Sequence, residues 1–166
     1  MEKTEQFFSK LIEENKDKIY RICCYYLSNE EDRKDLYQET LLNLWKAFKS
    51  FREEAAFSTW AFRITVNTAL QFISKEKNIR TVKKSFSFQY SNAEENNINT
   101  DQNEINILNK SILQLPLLDM IIISLVLEDV SSKEIANIIG LSDTNVRVRI
   151  HRAKHTLRKI IEGGES

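Results

Sequence analysis

The sequence contains few of the residues that tight turns require. Its 166 residues include three glycines and one proline. Because β-sandwiches and barrels need many turns built from these two residues, the composition argues strongly against an all-β fold. Hydrophobic residues make up 42% of the chain and charged residues 29%. This balance is typical of a globular protein rather than a disordered or membrane chain.

Cysteines and long apolar runs are equally scarce. Cys23 and Cys24 are adjacent and cannot join distant parts of the chain by an ordinary disulfide. They lie in an apolar segment, where buried packing is the expected role. No run approaches the roughly 18 apolar residues of a membrane helix, and the amphipathic N-terminus lacks the apolar core of a secretion signal. We therefore expect a cytoplasmic, reduced chain that does not insert into a membrane.

The charges are balanced in total but separated along the chain. There are 24 basic and 24 acidic residues, so the formal net charge is zero. Residues 63–84 nevertheless carry six bases and one acid, and residues 145–161 carry six bases and no acid. The stretch between them, 85–109, has four acids and no base. Two basic segments separated by an acidic spacer indicate nucleic-acid contacts that the net charge conceals.

Apolar periodicity predicts an all-α chain with two small helical domains. The first half contains helices up to about residue 27, over about 30–49 and over about 58–76, and Ser28 or Asn29 can cap the second of these. Residues 85–104 have no period and are rich in Asn, Ser and acid, which is typical of a flexible linker. Helical spacing resumes at Ile105, and the apolar run 117–127 is short enough for a buried core helix. The predicted domains are therefore 1–84 and 105–166, with 85–104 as an acidic linker.

A helix-turn-helix is the best local signal. Ser131 and Glu134 fit a capping box at the start of a short helix. Gly140 can supply the left-handed conformation that ends this helix, and Ser142 or Asp143 can cap a long basic helix to about residue 161. A short helix, a turn with glycine and a second, basic helix are the pattern of this DNA-binding motif.

Helical spacing separates the faces of the long basic helix. At about 100° per residue, one narrow stripe is apolar and is expected to be buried: Val146, Ile150, Ala153 and Leu157. The opposite face carries the candidates for base contact, which are Thr144, Val148, His151, Arg152 and His155. The flanks carry candidates for phosphate contact, which are Arg147, Arg149 and Lys154.

These residues and two further segments resemble the sigma factors of bacterial RNA polymerase. Residues 35–40 (DLYQET), followed by Leu44 and Trp45, look like the region-two motif, and residues 57–64 (FSTWAFRI) with Asn67 look like its continuation. Motifs in the second half look like the fourth region of these sigma factors: residues 134–136, 140–142, Val146 and 151–153. The order of the motifs, the linker and the small size are similar to the extracytoplasmic-function group, which keeps only regions two and four.

The resemblance implies partners and site residues. The partners would be core RNA polymerase, through its β′ coiled coil and β flap, promoter DNA, and an anti-sigma factor. Contact with polymerase is expected from Asp35, Gln38, Glu39, Leu42 and Asn43, with Leu36, Leu41 and Trp45 in the core. Contact with the minus-ten element is expected from Phe62, Arg63, Asn67, Arg80, Lys83 and Lys84, with Trp60 and Ile64 in the core. The eight helix residues named above, 144–155, would read or anchor the minus-35 element.

The sequence departs from the family pattern at four positions. Ala61 follows the tryptophan where leucine is usual, and Gln71 stands where aspartate is common. In the basic helix, Asn145 replaces a frequent threonine and Val148 a frequent serine. These differences bear on the promoter sequence rather than on the general role.

Other classes of function find less support in the residues. His151 and His155 have the spacing of two zinc ligands on one helix face, but no third ligand lies nearby, so we expect no metal and no cofactor. No nucleophile triad, phosphate loop or paired-carboxylate motif is evident, so we do not expect an enzyme. Two alternatives stay open: a helix-turn-helix regulator that acts without polymerase, and a helical module whose helix-turn-helix packs on protein.

Overall fold

The computed structural model describes the backbone of residues 2–83 and 100–164, and the side chains of residues 4–75 and 103–163. These residues form seven α-helices, a 3-10 turn and no strand. In chain order they are α1 (Glu2–Tyr25), α2 (Glu30–Ala47), the 3-10 turn Phe48–Ser50, α3 (Phe57–Lys83), α4 (Thr100–Ile112), α5 (Leu117–Leu127), α6 (Ser132–Ile139) and α7 (Asp143–Gly164). The all-α prediction is confirmed.

Helices α1, α2 and α3 pack together as the first half of the protein. Asn29 caps α2, because its side-chain oxygen accepts hydrogen bonds from the backbone N–H groups of Glu31 and Asp32. The shared core includes fully buried Ile19, Ile22, Leu36 and Leu44. Cys23 is buried with them, as expected, and burial raises the pKa of its thiol to about 12.

Helices α4 to α7 form the second half around α5. Residues 117–127 are helical as predicted, and Ile122 and Leu125 of this helix are fully buried. The helix ends with Asp129 in the left-handed conformation, φ 61°. The backbone N–H of Asp129 donates to the Val126 carbonyl, and that of Val130 donates to the Leu125 carbonyl. These hydrogen bonds satisfy the last carbonyls of the helix.

Two helix ends differ from the sequence prediction. Helix α3 continues to Lys83 rather than ending near residue 76, and α4 begins at Thr100, inside the predicted linker 85–104. No proline or glycine lies between Phe57 and Lys83 to end the helix earlier. Lys84 and residues 85–99 of the predicted linker lie outside the described residues.

The two halves contact each other directly. Helix α1 packs on α5, and α3 packs on α6. The α1–α5 contact includes an ion pair between Arg21 and Glu128, which are 107 positions apart in the sequence. The helix-turn-helix of the second half is therefore positioned against the helix of the first half that carries the predicted minus-ten residues.

Candidate polymerase and DNA interfaces

Helix α2 presents a mixed polar and apolar face to solvent. Its inner side is fixed by buried Leu36, Thr40 and Leu44, and the Thr40 hydroxyl donates to the Leu36 carbonyl at 2.8 Å. On the outer side Asp35 and Gln38 are exposed and Glu39 is half-buried. Four of the five residues predicted to contact polymerase, these three and Leu42, are thus accessible on one helix.

An apolar groove lies next to these polar residues. Gln38, Leu41, Leu42 and Trp45 line it. Leu42 is 57% exposed and Trp45 is 41% exposed, which are high values for large apolar side chains. The prediction that Trp45 is a core residue is wrong: Phe8 of α1 packs edge-on against its ring at 5.0 Å, but the side chain stays largely accessible to solvent. Sequence periodicity placed Trp45 on the apolar stripe but could not show how far α1 covers that stripe.

Asn43 has a structural contact that the sequence did not indicate. Its side-chain nitrogen donates to the hydroxyl of Thr68 at 3.1 Å, and that hydroxyl donates to the Ile64 carbonyl at 2.7 Å. Asn43 is half-buried and joins α2 to α3. The Asn43 amide nitrogen therefore has a role in packing α2 on α3, and the predicted contact of Asn43 with polymerase stays a prediction.

The predicted minus-ten residues divide into exposed and buried members. Arg63 and Asn67 are exposed one helical turn apart on α3. Phe62 is only 3% exposed and belongs to the core, so its predicted contact with DNA is wrong. It lies on a buried stripe with Val66 and Ala69, a spacing of four and three residues that could have revealed its role. The side chains of Arg80, Lys83 and Lys84 lie outside the described residues.

Aromatic rings cluster at the start of α3. Phe51 packs against Trp60 at 4.9 Å and against Phe57 at 5.6 Å, and Phe48 packs against Trp60 at 6.4 Å. Trp60 and Ile64 are half-buried and pack on the core, in agreement with the prediction for these two residues. The cluster fixes the end of α3 from which Arg63 and Asn67 project.

The helix-turn-helix has the predicted glycine turn and helix caps, and of the capping box the structure shows the Ser131 half. The Ser131 hydroxyl accepts the backbone N–H of Glu134 at 3.2 Å, and Gly140 ends α6 at φ 78°. The Ser142 hydroxyl accepts the N–H of Asn145 at 3.1 Å at the start of α7. These hydrogen bonds satisfy backbone groups at helix ends that otherwise lack partners.

Helix α7 separates a buried stripe from an exposed face as predicted. Val146, Ala153 and Leu157 are buried, and Ile150 is half-buried. The residues predicted for base contact are all exposed on the other side: Thr144, Val148, His151, Arg152 and His155. The face is therefore free to enter a groove about as wide as a helix, such as the major groove of B-DNA.

The three basic residues on the flanks of α7 have different contacts. Arg147 pairs with Asp143 one turn earlier at 3.1 Å. Arg149 is half-buried between Asp119 of α5, at 3.3 Å, and the Asn145 side chain, at 3.2 Å. Lys154 is exposed. Arg149 therefore helps to hold α7 on α5, a contact that no local sequence signal indicated.

Neither a metal cluster nor a membrane span is found in the described part of the chain. There, no group of three or more His, Cys, Asp or Glu side chains is arranged to hold a metal ion. None of the helices there combines the length and the apolar character needed to cross a membrane.

Comparison with known proteins identifies both halves. The family model of sigma-70 region 2 matches residues 11–79, and that of sigma-70 region 4 matches residues 105–157. RNA polymerase sigma factor SigV of Bacillus subtilis is 28% identical over 157 residues, 93% of this chain and 91% of SigV. ECF RNA polymerase sigma factor SigW of the same organism is 27% identical over 163 residues, 92% of this chain and 87% of SigW.

Solved structures share the fold. CnrH, in complex with the cytosolic domain of CnrY, has a TM-score of 0.72 at 19% identity and covers 96% of this chain and 90% of its own. Sigma factor RpoE of Bartonella quintana, in complex with the anti-sigma factor NepR, has a TM-score of 0.70 at 20% identity and covers 98% of each chain. With two sigma-70 regions in the correct order over a two-part helical fold, the chain belongs to the extracytoplasmic-function sigma factors. Its function is that of an alternative sigma factor in transcription initiation.

Proposed function

We propose that this sigma factor binds core RNA polymerase through the outer face of α2, contacts the minus-ten element with α3 and reads the minus-35 element with α7. The observation that carries the proposal is the exposed face of α7, which lies opposite its buried stripe in a capped helix-turn-helix. The proposed domains are 1–84 for the first two roles and 105–166 for the third, joined by 85–104.

The polymerase contact is supported by the chemistry of α2. Asp35, Gln38 and Glu39 supply charge and hydrogen bonds around an apolar groove in which Leu42 and Trp45 are exposed. Large apolar side chains rimmed by polar residues are characteristic of protein–protein interfaces, where a few such anchors carry most of the binding free energy. Trp45 joins the proposed contact set, which keeps Asn43.

The minus-ten contact is supported by the exposed pair on α3. Arg63 can reach phosphate or stack on an unpaired base, and Asn67, one turn further on, can hydrogen-bond base edges. Arg80 and Lys83 belong to the same helix, and Lys84 is the next residue in the sequence. We propose these three basic residues as phosphate contacts.

Partners and location follow from the family. The solved relative from Bartonella quintana is bound to an anti-sigma factor, and we propose an anti-sigma partner for this chain as well. We also propose that the β flap of polymerase contacts the second half. The role is one of binding rather than catalysis, it requires no cofactor or metal, and it is exercised in the cytoplasm.

Transcription with purified core enzyme tests the proposal. The full chain is added to core polymerase on fragments of the source genome, and defined transcripts that depend on the chain are expected. Leu42→Glu should reduce binding to core enzyme at least 10-fold, because it places a charge in the apolar groove. Asn103→Glu adds the same charge at an exposed position of α4 and should leave the affinity unchanged. Sequence-specific DNA binding without any association with core enzyme would contradict the proposal and indicate a simple regulator.

A further inference from the structure

A buried carboxylate joins the two halves of the protein. Glu128, at the end of α5, is 3% exposed at its side chain, whereas its partner Arg21 on α1 is 51% exposed. The Arg21 Nε and Nη2 atoms donate to the two oxygens of Glu128 at 2.8 and 2.9 Å. This two-bond arrangement is the strongest form of an arginine–carboxylate contact.

Two further hydrogen bonds surround this ion pair. The Tyr25 hydroxyl donates to a Glu128 oxygen at 3.3 Å, and the Tyr26 hydroxyl shares a buried hydrogen bond with Ser124 at 2.7 Å. We call Arg21, Tyr25, Tyr26, Ser124 and Glu128 the interdomain polar cluster. Arg21 and Tyr25 lie on α1 and Tyr26 directly follows it, whereas Ser124 lies on α5 and Glu128 caps the end of α5.

A second contact between the halves engages a proposed DNA-binding residue. The Arg63 Nη2 atom donates to the backbone carbonyl of Asn137 at 2.9 Å. Asn137 belongs to α6, the first helix of the helix-turn-helix. Arg63 thus contacts the second half of the protein at the position from which it would contact DNA.

We propose that the interdomain polar cluster is an autoinhibitory contact that holds the free chain closed and keeps Arg63 on α6. Promoter binding requires the two halves to engage separate DNA elements, so the cluster must separate when the protein binds polymerase and DNA. The inhibitory consequence rests on the proposed function. The closed state itself does not, because it concerns the free chain alone.

The chemistry of the cluster makes it a reversible contact. Removing the Glu128 carboxylate from water costs free energy that its attraction to the half-exposed Arg21 offsets, so the ion pair adds little net stability. Separation of the halves returns the Glu128 carboxylate to water, so that neither charge is left buried without a partner. Truncation of Arg21 is different, because it leaves the Glu128 carboxylate buried without its charged partner and so favours the open form. Replacing both residues by apolar ones removes this penalty.

Small-angle X-ray scattering of the full chain tests the closed state. A compact chain of this length has an expected radius of gyration of about 15 Å. Arg21→Ala should increase the radius of gyration, whereas Lys18→Ala, which removes one positive charge from an exposed position of the same helix, should leave it unchanged. The double variant Arg21→Met/Glu128→Leu should return to the wild-type radius. Circular dichroism should show the same helix content for all four proteins.

Several results would overturn the proposal. An unchanged radius in Arg21→Ala, or an equal increase in Lys18→Ala, would show that the cluster does not hold the halves together. If Arg21→Ala loses helix content, the double variant is the deciding measurement. A folded double variant with a radius of gyration larger than that of wild type would contradict the closed state. The inhibitory role predicts that Arg21→Ala binds promoter DNA at least 10-fold more tightly than wild type without polymerase. Equal affinity in an expanded Arg21→Ala chain would overturn that role.

Discussion

Ser132 and Asp143 connect the two helices of the helix-turn-helix through one hydrogen bond. The Ser132 hydroxyl on α6 donates to Asp143 Oδ1 at 2.7 Å, and Asp143 Oδ2 accepts from Arg147 at 3.1 Å. Asp143 therefore links the first turn of α6 to the flank of α7 that faces the proposed phosphate positions. The same Asp143 carboxylate therefore contacts α6 and holds the Arg147 side chain of α7, a proposed phosphate contact.

The turn of this motif requires glycine for its backbone conformation. Gly140 has φ 78°, and a Cβ atom there would meet nothing within 4 Å. Gly140→Ala should thus lose about 1–2 kcal/mol of unfolding free energy from the left-handed conformation alone. Gly163→Ala is the control, since that glycine lies near the end of α7 and also has free space around it. Urea unfolding measures both, and equal stability of the two variants would contradict the assignment.

Base reading and phosphate anchoring should separate on α7. Arg152 is exposed opposite the buried stripe and can reach a base edge in the major groove. A two-bond contact of this kind favours the correct base over a wrong one by about 1–3 kcal/mol. Arg147 is held toward the flank by Asp143 and is better placed for phosphate. Arg152→Ala should flatten the preference at one minus-35 position. Arg147→Ala should weaken binding to all DNA sequences equally. It should also lower the slope of log affinity against log salt concentration by about one.

A randomised minus-35 library, assayed with core enzyme, measures these preferences. Circular dichroism of both variants checks that the helix is retained. Identical specificity profiles for Arg152→Ala and Arg147→Ala would show that the two faces of α7 are assigned incorrectly.

The buried position of Phe62 predicts a loss of stability rather than of DNA contact. Phe62→Ala should reduce the unfolding free energy by about 3–5 kcal/mol, the usual cost of removing a buried phenyl ring. Asn67→Ala, at an exposed position on the same helix, should change stability by less than about 0.5 kcal/mol and weaken minus-ten binding. Denaturant unfolding and binding to a minus-ten single strand distinguish the two effects. A stable Phe62→Ala protein that fails only in DNA binding would reverse this assignment.

The buried thiol of Cys23 predicts a loss of stability at high pH. Burial raises its pKa from 9.0 to about 12, so the fold favours the protonated thiol. Its contribution is fully present below pH 9 and is lost as the pH rises toward 12, on the order of 4 kcal/mol in total. Burial also raises the pKa of Tyr25 to about 12, with the same sign.

Unfolding free energy measured between pH 8 and pH 11 tests this linkage. Cys23→Ala removes the thiol and should show a shallower decline with pH than wild type, although it starts lower because of the cavity it leaves. Identical slopes for the two proteins would contradict the linkage.

Local patterns in the sequence determined most of the secondary structure and one face of the site. The apolar run 117–127, the cap at Ser131, the turn at Gly140 and the buried stripe of α7 are all found as predicted. Each depends on residues within a few positions of one another, because capping, left-handed turns and helical periodicity are local properties of the chain. The family motifs were recognisable for the same reason.

Only the tertiary structure decided which apolar and polar residues are available to partners. Trp45 is exposed because α1 covers its ring only in part, and Phe62 is buried because its stripe faces the core. The Asn43 side chain donates a hydrogen bond to Thr68 on α3. The ion pair of Arg21 with Glu128 joins residues 107 positions apart. These outcomes depend on how separate helices pack, and helical periodicity specifies an apolar face without specifying which helix covers it.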